Sequence, residues 1–216
     1  MDNRKQGKNG KEMGKRRFQL LLILLFILFT VISCKNDDDD DSGSDEDPTP
    51  EPPVGTWIDY DTGLMWQKEI VDNCYGLYYT WDLAVGYCDS LELAGFSDWR
   101  LPTISELRSL VRGCEVTMTG GACGVMDECA DYDCRDDACS GCNLKNDTEN
   151  KYYWPNDLKG ESFTDNVYWS ITEEINNASF VWTLGFIIAN IESEEKENTL
   201  GYALTTRCVR TTTDEI

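Results

Sequence analysis

The stretch Leu93–Leu107, LAGFSDWRLPTISEL, decides the fold. Gly95 stands where the cap of a preceding helix belongs, because a residue without Cβ takes the left-handed backbone that ends helices. Pro102 then sets the start of the next helix. Thr103 and Glu106 have capping-box spacing: the hydroxyl accepts from the amide three residues on, and the carboxylate reaches back to the cap amide. Ile104, Leu107, Leu110 and Val111 form one apolar stripe, so a helix is expected from about Ile104 to Arg112. Upstream, Trp81, Ala84, Val85, Cys88 and Leu91 recur at helical spacing, with Thr80 as N-cap and Asp82 in the first turn.

Strand patterns lie outside this pair of helices. Val54–Trp66 reads as a strand or hairpin turning at Asp61-Thr62-Gly63, with Trp57, Leu64, Met65 and Trp66 on the apolar side. Val167–Ile171, Ser179–Ile188 and Tyr202–Val209 carry alternating apolar residues and read as late strands. Glu192–Asn198, ESEEKEN, reads as a solvated loop between the last two. The order of strand, two helices, long loop and several strands implies an α+β domain with an antiparallel sheet. It covers residues 54–213, long enough for a single sizeable core. Residues 113–150 form an insertion with little periodicity. It holds six cysteines and a poor core of its own, so crosslinks are needed to hold it.

The N-terminal segment has a different chemistry. Seven basic residues from Arg4 to Arg17 precede FQLLLILLFILFTVISC, residues 18–34. This is the charged head and apolar core of a secretory signal. Ser33-Cys34 resembles the bacterial lipoprotein box, in which the cysteine is acylated and the chain is cut before it. An uncleaved membrane helix is the alternative, but the core is shorter than the roughly 20 residues that span a bilayer. Residues 1–33 are therefore expected as a signal peptide, with a lipid membrane as the partner of acylated Cys34. Lys35 follows that cysteine in place of an aspartate. By resemblance to enterobacterial sorting, this permits the outer membrane. Residues 34–53 hold the lipidated cysteine and an acidic spacer whose composition supports no core.

Residues 1–33 hold 7 of the 19 basic and 2 of the 40 acidic residues, so the mature chain carries 12 against 38, a net charge of −26. Such a surface repels nucleic acid, anionic lipid headgroups and sulfated polysaccharide. The chain has no histidine, which excludes Ser-His-Asp, Cys-His and histidine-metal centres. No phosphate-binding glycine loop occurs. Paired carboxylates for glycoside hydrolysis remain open in so acidic a chain. With no recognisable catalytic constellation, the protein is expected not to be an enzyme.

Nine cysteines remain besides Cys34, an odd number, and export to an oxidising compartment favours disulfides. Three bridges are expected among Cys114, Cys123, Cys129, Cys134, Cys139 and Cys142, with fifteen connectivities open. Zinc on the Cys139–Cys142 pair is the weaker alternative. No cofactor is expected, apart from calcium on the weak candidates Asp127, Glu128, Asp131, Asp133, Asp136 and Asp137. They supply the right oxygen ligands but fit no EF-hand spacing. Asn146-Asp147-Thr148 and Asn177-Ala178-Ser179 match the glycosylation pattern.

Several ordered motifs together resemble one family. They are Thr62-Gly63-Leu64-Met65-Trp66-Gln67, Thr80-Trp81 through Tyr87-Cys88, Leu93–Thr103 with Glu106-Leu107, Tyr168-Trp169-Ser170 and Arg207-Cys208-Val209-Arg210. The family is DUF1566, also called the Lcl C-terminal domain, after the C-terminal domain of a collagen-like adhesin. The resemblance implies a C-type-lectin-like fold, with two helices on a twisted, mostly antiparallel sheet and long loops on one side. It implies a Cys88–Cys208 bridge tying the domain ends together. It also implies adhesion, since the namesake binds sulfated glycans, although a net charge of −26 opposes a polyanion here. Trp66, Trp99, Arg100, Leu101, Pro102, Thr103, Glu106 and Trp169 belong to the family signature. Trp99 and Arg100 read either as a sugar platform or, in preference, as core and ion pair. Trp154-Pro155-Asn156-Asp157 resembles the calcium motif of true C-type lectins, interrupted by proline.

These readings lead to a cell-envelope lipoprotein with a non-catalytic binding or adhesion domain for a cell-surface glycan or protein. The alternative is a structural or protein-interaction lipoprotein without a small ligand. An exposed patch of two or more of Trp154, Tyr152, Tyr153 and Trp182 beside carboxylates favours the first, and burial of all of them favours the second. Labelled palmitate is expected to enter the wild type, and Cys34→Ala is expected to abolish the label. An uncut N-terminus at full mass would overturn the lipoprotein assignment.

Overall fold

The capping box forms. Thr103 Oγ1 accepts from the Glu106 amide at 3.2 Å, and Glu106 Oε2 accepts from the Thr103 amide at 2.8 Å. It starts helix α2, Ile104–Ser109, while Trp81–Asp89 forms α1. The structure is a computed structural model describing residues 51–69, 80–145, 151–158, 167–197 and 204–212. Residues 1–50, on which the expected signal peptide, Cys34 and most of the spacer fall, lie outside the described residues, as do Cys74, Tyr202 and the Asn146 sequon.

Both helices stop earlier than their spacing suggests. Ser90 is the C-cap of α1, and its hydroxyl donates to the Gly86 and Tyr87 carbonyls, satisfying groups the helix would leave open. Gly95 is therefore not a helix cap. Ala94 and Gly95 both have positive φ, 57° and 82°, between Leu93 and Phe96, which exchange two backbone hydrogen bonds. That is the geometry of a tight hairpin turn. Helix α2 ends at Ser109 with Leu110 as its C-cap, and the Arg112 amide leaves the helical ladder to donate to the Tyr153 carbonyl at 2.8 Å. The apolar stripe is otherwise as expected, with Ile104, Leu107, Leu110 and Val111 all buried.

Among the described residues, seven strands form two sheets. Strands β1 (Thr56–Asp59), β2 (Leu64–Gln67) and β7 (Val209–Thr211) pair antiparallel in the order β1-β2-β7. Arg100 and Val209 exchange two backbone bonds at 2.9 Å, so the stretch before α2 lies along β7. The second sheet runs β5-β4-β3-β6, built from β3 (Val167–Glu174), β4 (Asn177–Gly185), β5 (Asn190–Glu195) and β6 (Leu204–Thr205). It is mixed, since β3 and β6 are parallel while the other pairs are antiparallel.

Two expectations are corrected here. Glu192–Glu195, read as solvated loop, belongs to β5 and pairs with β4 from Phe180 opposite Glu195 to Gly185 opposite Asn190. Its acidic side chains suit a sheet edge, where charge blocks pairing with another chain, and its one apolar residue, Ile191, is buried. The late segment read as one strand is two, β6 and β7, in different sheets. Between them the buried Arg207 donates to the Gln67 and Lys68 carbonyls at 2.7 and 2.9 Å, which carries the chain from one sheet to the other.

Apolar residues alternate across the strands and fill a core on each side. Leu64, Trp66, Tyr168, Trp182, Leu184 and Ile191 join α2 and the insertion cysteines on one side. Met65, Trp169, Val181 and Leu204 join Ile58, Ala84, Trp99 and Leu101 on the other, around the bridge between Cys88 and Cys208. The bridge implied by the resemblance is therefore present. The insertion cysteines are also paired: Cys114–Cys142 encloses Cys123–Cys139, which encloses Cys129–Cys134. Cys139 and Cys142 sit in separate disulfides, so zinc on that pair is overturned.

Arg108 was not singled out by the sequence. It projects from α2 into this nest, where its buried guanidinium donates to the Thr117, Met118 and Val125 carbonyls. Burial pulls its pKa down from the ordinary arginine value.

Loop-closure entropy scales with the chain enclosed. Replacing Cys88 and Cys208 together is expected to cost about 4–5 kcal/mol, and replacing Cys129 and Cys134 about 2 kcal/mol. Urea unfolding of the two double-alanine variants measures both. An equal loss would defeat the closure argument.

Candidate functional site

The family-signature residues sit inside the scaffold. Trp66, Trp99, Leu101, Pro102 and Trp169 are buried. The Trp99 indole donates to the Leu93 carbonyl at 3.3 Å. The Pro102 carbonyl accepts from the Ile171 amide at 2.8 Å, docking the start of α2 on β3. Arg100 forks onto both Glu106 oxygens, at 2.7 and 2.5 Å, and that contact holds its pKa above the ordinary value. The Trp99 ring is thus part of the core and Arg100 an ion-pair partner.

The candidate platform rings are also interior. Tyr153 is 7% exposed, Trp154 5% and Trp182 0%. Tyr152 is half-buried. Trp154 packs on Tyr152, Tyr168 and Phe186, with the Arg207 guanidinium over the Trp154 and Tyr168 rings. The Tyr153 hydroxyl donates to the Asn143 carbonyl, and Lys145 lies over its ring. Segment 151–158 is held by backbone bonds at Tyr153, whose amide donates to the carbonyl of Phe186, just after β4, and whose carbonyl accepts from Arg112, just after α2.

The acidic candidates divide by role. Asp127 accepts from the Ser105 amide and the Thr172 hydroxyl. Asp131 accepts from the Asp133 amide and the Asn176 side chain, and Asp136 from the Ala138 amide. Asp131 and Asp136 thereby cap the short 3-10 turns Tyr132–Cys134 and Asp137–Ser140. Glu128, Asp133 and Asp137 are exposed. Among the described residues, no three histidine, cysteine or acidic side chains gather as a metal group. No helix among them is long and apolar enough to cross a membrane.

What the structure does bring together is the insertion and the turn between β3 and β4. The Ala130 carbonyl accepts from the Trp182 indole at 2.9 Å and from the Ile175 amide at 3.2 Å. Tyr132 lies nearly parallel to Trp182, at 6.5 Å between ring centres and 22° between planes. Tyr132 and Ile175 remain 55% and 65% exposed. The sequence pattern held no sign of this junction, because its contacts run through a backbone carbonyl.

Among the described residues, several cations are engaged internally. Arg135 grips Glu192 with both oxygens at 2.7 Å. Lys196 pairs with Glu173 and lies over the Trp81 ring. Arg112 reaches Asp59 at 3.8 Å. The buried Arg210 grips Asp98 at 2.7 and 3.1 Å, 3.7 Å above the Phe96 ring. The outward charge of the described insertion is thus carboxylate.

A profile of the Lcl C-terminal domain family matches residues 55–210. No curated protein matches the chain, and no solved structure does.

The Arg210 hydrogen bond holds the Asp98 carboxyl below the ordinary carboxylate range, against a smaller opposing effect of burial. A depressed folded-state pKa stabilises above the unfolded value, and that stability is lost as pH falls through the folded value. Asp98→Asn is therefore expected to lower the urea midpoint at neutral pH. The gap from wild type should close on acidification through the carboxylate range. A gap independent of pH would show that Asp98 acts by packing alone.

Proposed function

The chain belongs to the Lcl C-terminal domain family, and from that premise we propose a lipid-anchored, non-catalytic protein of the bacterial cell envelope. Its C-type-lectin-like domain engages another protein. Acyl chains on Cys34 hold it to the membrane, with the outer membrane as the proposed site. The observation carrying the protein-binding reading is the burial of Tyr153, Trp154 and Trp182. Sugar recognition by stacking requires a ring face at the surface, and these rings spend theirs in the core. The absence of histidine from the chain supports a binding role. The second reading is a calcium-bridged glycan, supported by the exposed Tyr132 ring beside Asp131 and Asp133.

Crosslinking of the mature lipoprotein on intact cells is expected to give a discrete protein adduct. A glycan array is expected to stay blank with calcium and with chelator. Array binding that disappears in chelator, without a protein adduct, would replace the first reading with the second.

A further inference from the structure

Tyr132 and Ile175 are exposed apolar side chains on rigid supports. Tyr132 sits inside the six-residue segment closed by Cys129–Cys134, over the wholly buried Trp182. Ile175 sits at the β3–β4 turn, with its amide on the Ala130 carbonyl and its neighbour Asn176 bonded to Asp131. A shared carbonyl therefore pins both supports, and little ordering remains to be done when a partner arrives. Carboxylates flank both in sequence: exposed Glu128 and Asp133 with Asp131 around Tyr132, and Glu173 and Glu174 before Ile175, of which Glu173 pairs with Lys196 and Glu174 accepts from the Ser193 hydroxyl. The nearby cations Arg135 and Lys196 are held by Glu192 and Glu173.

We infer that this patch is a docking surface for a basic protein segment with apolar side chains, an inference that rests on the protein-binding reading above. Charge complementarity selects the occupant. The apolar centre takes the partner's aliphatic groups, and the carboxylate rim takes its lysines and arginines. A second copy of this chain is disfavoured, because each mature copy carries a net charge of −26. Anionic headgroups and nucleic acid are repelled on the same ground.

The test uses the full mature chain in detergent and two labelled peptides of equal charge, one alternating lysine and leucine and one alternating lysine and serine. The wild type is expected to bind the leucine peptide about tenfold more tightly. Both affinities should fall with salt. Tyr132→Ser with Ile175→Ser should remove that preference and leave the serine peptide unchanged, while Ile175→Ser alone should remove part of it. Leu83→Ser, which alters an exposed apolar residue on α1, should change neither. A wild type without preference overturns the assignment, even if protein adducts persist on cells. So does a double variant that keeps the preference while retaining its insertion disulfides, or self-association abolished by the double substitution.

Discussion

The bond between Cys88 and Cys208 joins α1 to the segment between β6 and β7, 120 residues further along the chain. Both cysteines are wholly buried. The Cys208 carbonyl accepts from the Gln67 amide, and its own amide donates to the Gln67 side chain. That side chain continues to the Tyr87 hydroxyl on α1 at 2.8 Å. One residue thus ties the first helix, the second strand and the last strand together. The small sheet needs this closure, because β2 must find β7 across most of the chain. Without it, the loop entropy of that pairing falls on three short strands.

The insertion is organised by a different means. It has few large apolar side chains, and its chain reversals leave carbonyls pointing inward. Arg108 collects three of them, as a fixed fork of donors suits several acceptors at once. Three nested disulfides complete the hold. The buried cation has no carboxylate partner among the described ion pairs, so carbonyl dipoles must offset its loss of water. This arrangement leaves the insertion's acidic side chains for short turns and for the surface.

The proposed function rests on how the aromatic residues are distributed. The interior takes Trp66, Trp99, Trp154, Trp169 and Trp182, and the recognisable motifs are largely scaffold. The surface receives carboxylates and a few isolated apolar groups, two of which flank the contact between the insertion and the β3–β4 turn. A binding role built on that surface depends on rigidity and charge.

The sequence by itself determined the elements whose signals are local. The Thr103–Glu106 cap, the buried stripe of α2, the Asp61–Gly63 turn and the two-helix α+β plan all rest on contacts within a few residues. It also contained the ordered motifs of the family, and through them the Cys88–Cys208 pair. Tertiary structure decided what depends on distant partners. Gly95 serves a hairpin turn because Ser90 had already capped α1. The acidic run at 192–195 became a strand because β4 offered an open edge, and pairing energy comes from the partner's backbone. The late strand divided because Arg207 anchors on Gln67 and Lys68. Arg108 is buried because three carbonyls of a later segment converge on it, and no periodicity records where carbonyls point. The junction at Ala130 was unreadable for the same reason: side-chain types appear in a sequence, whereas the direction of a backbone oxygen is settled only when the chain has folded.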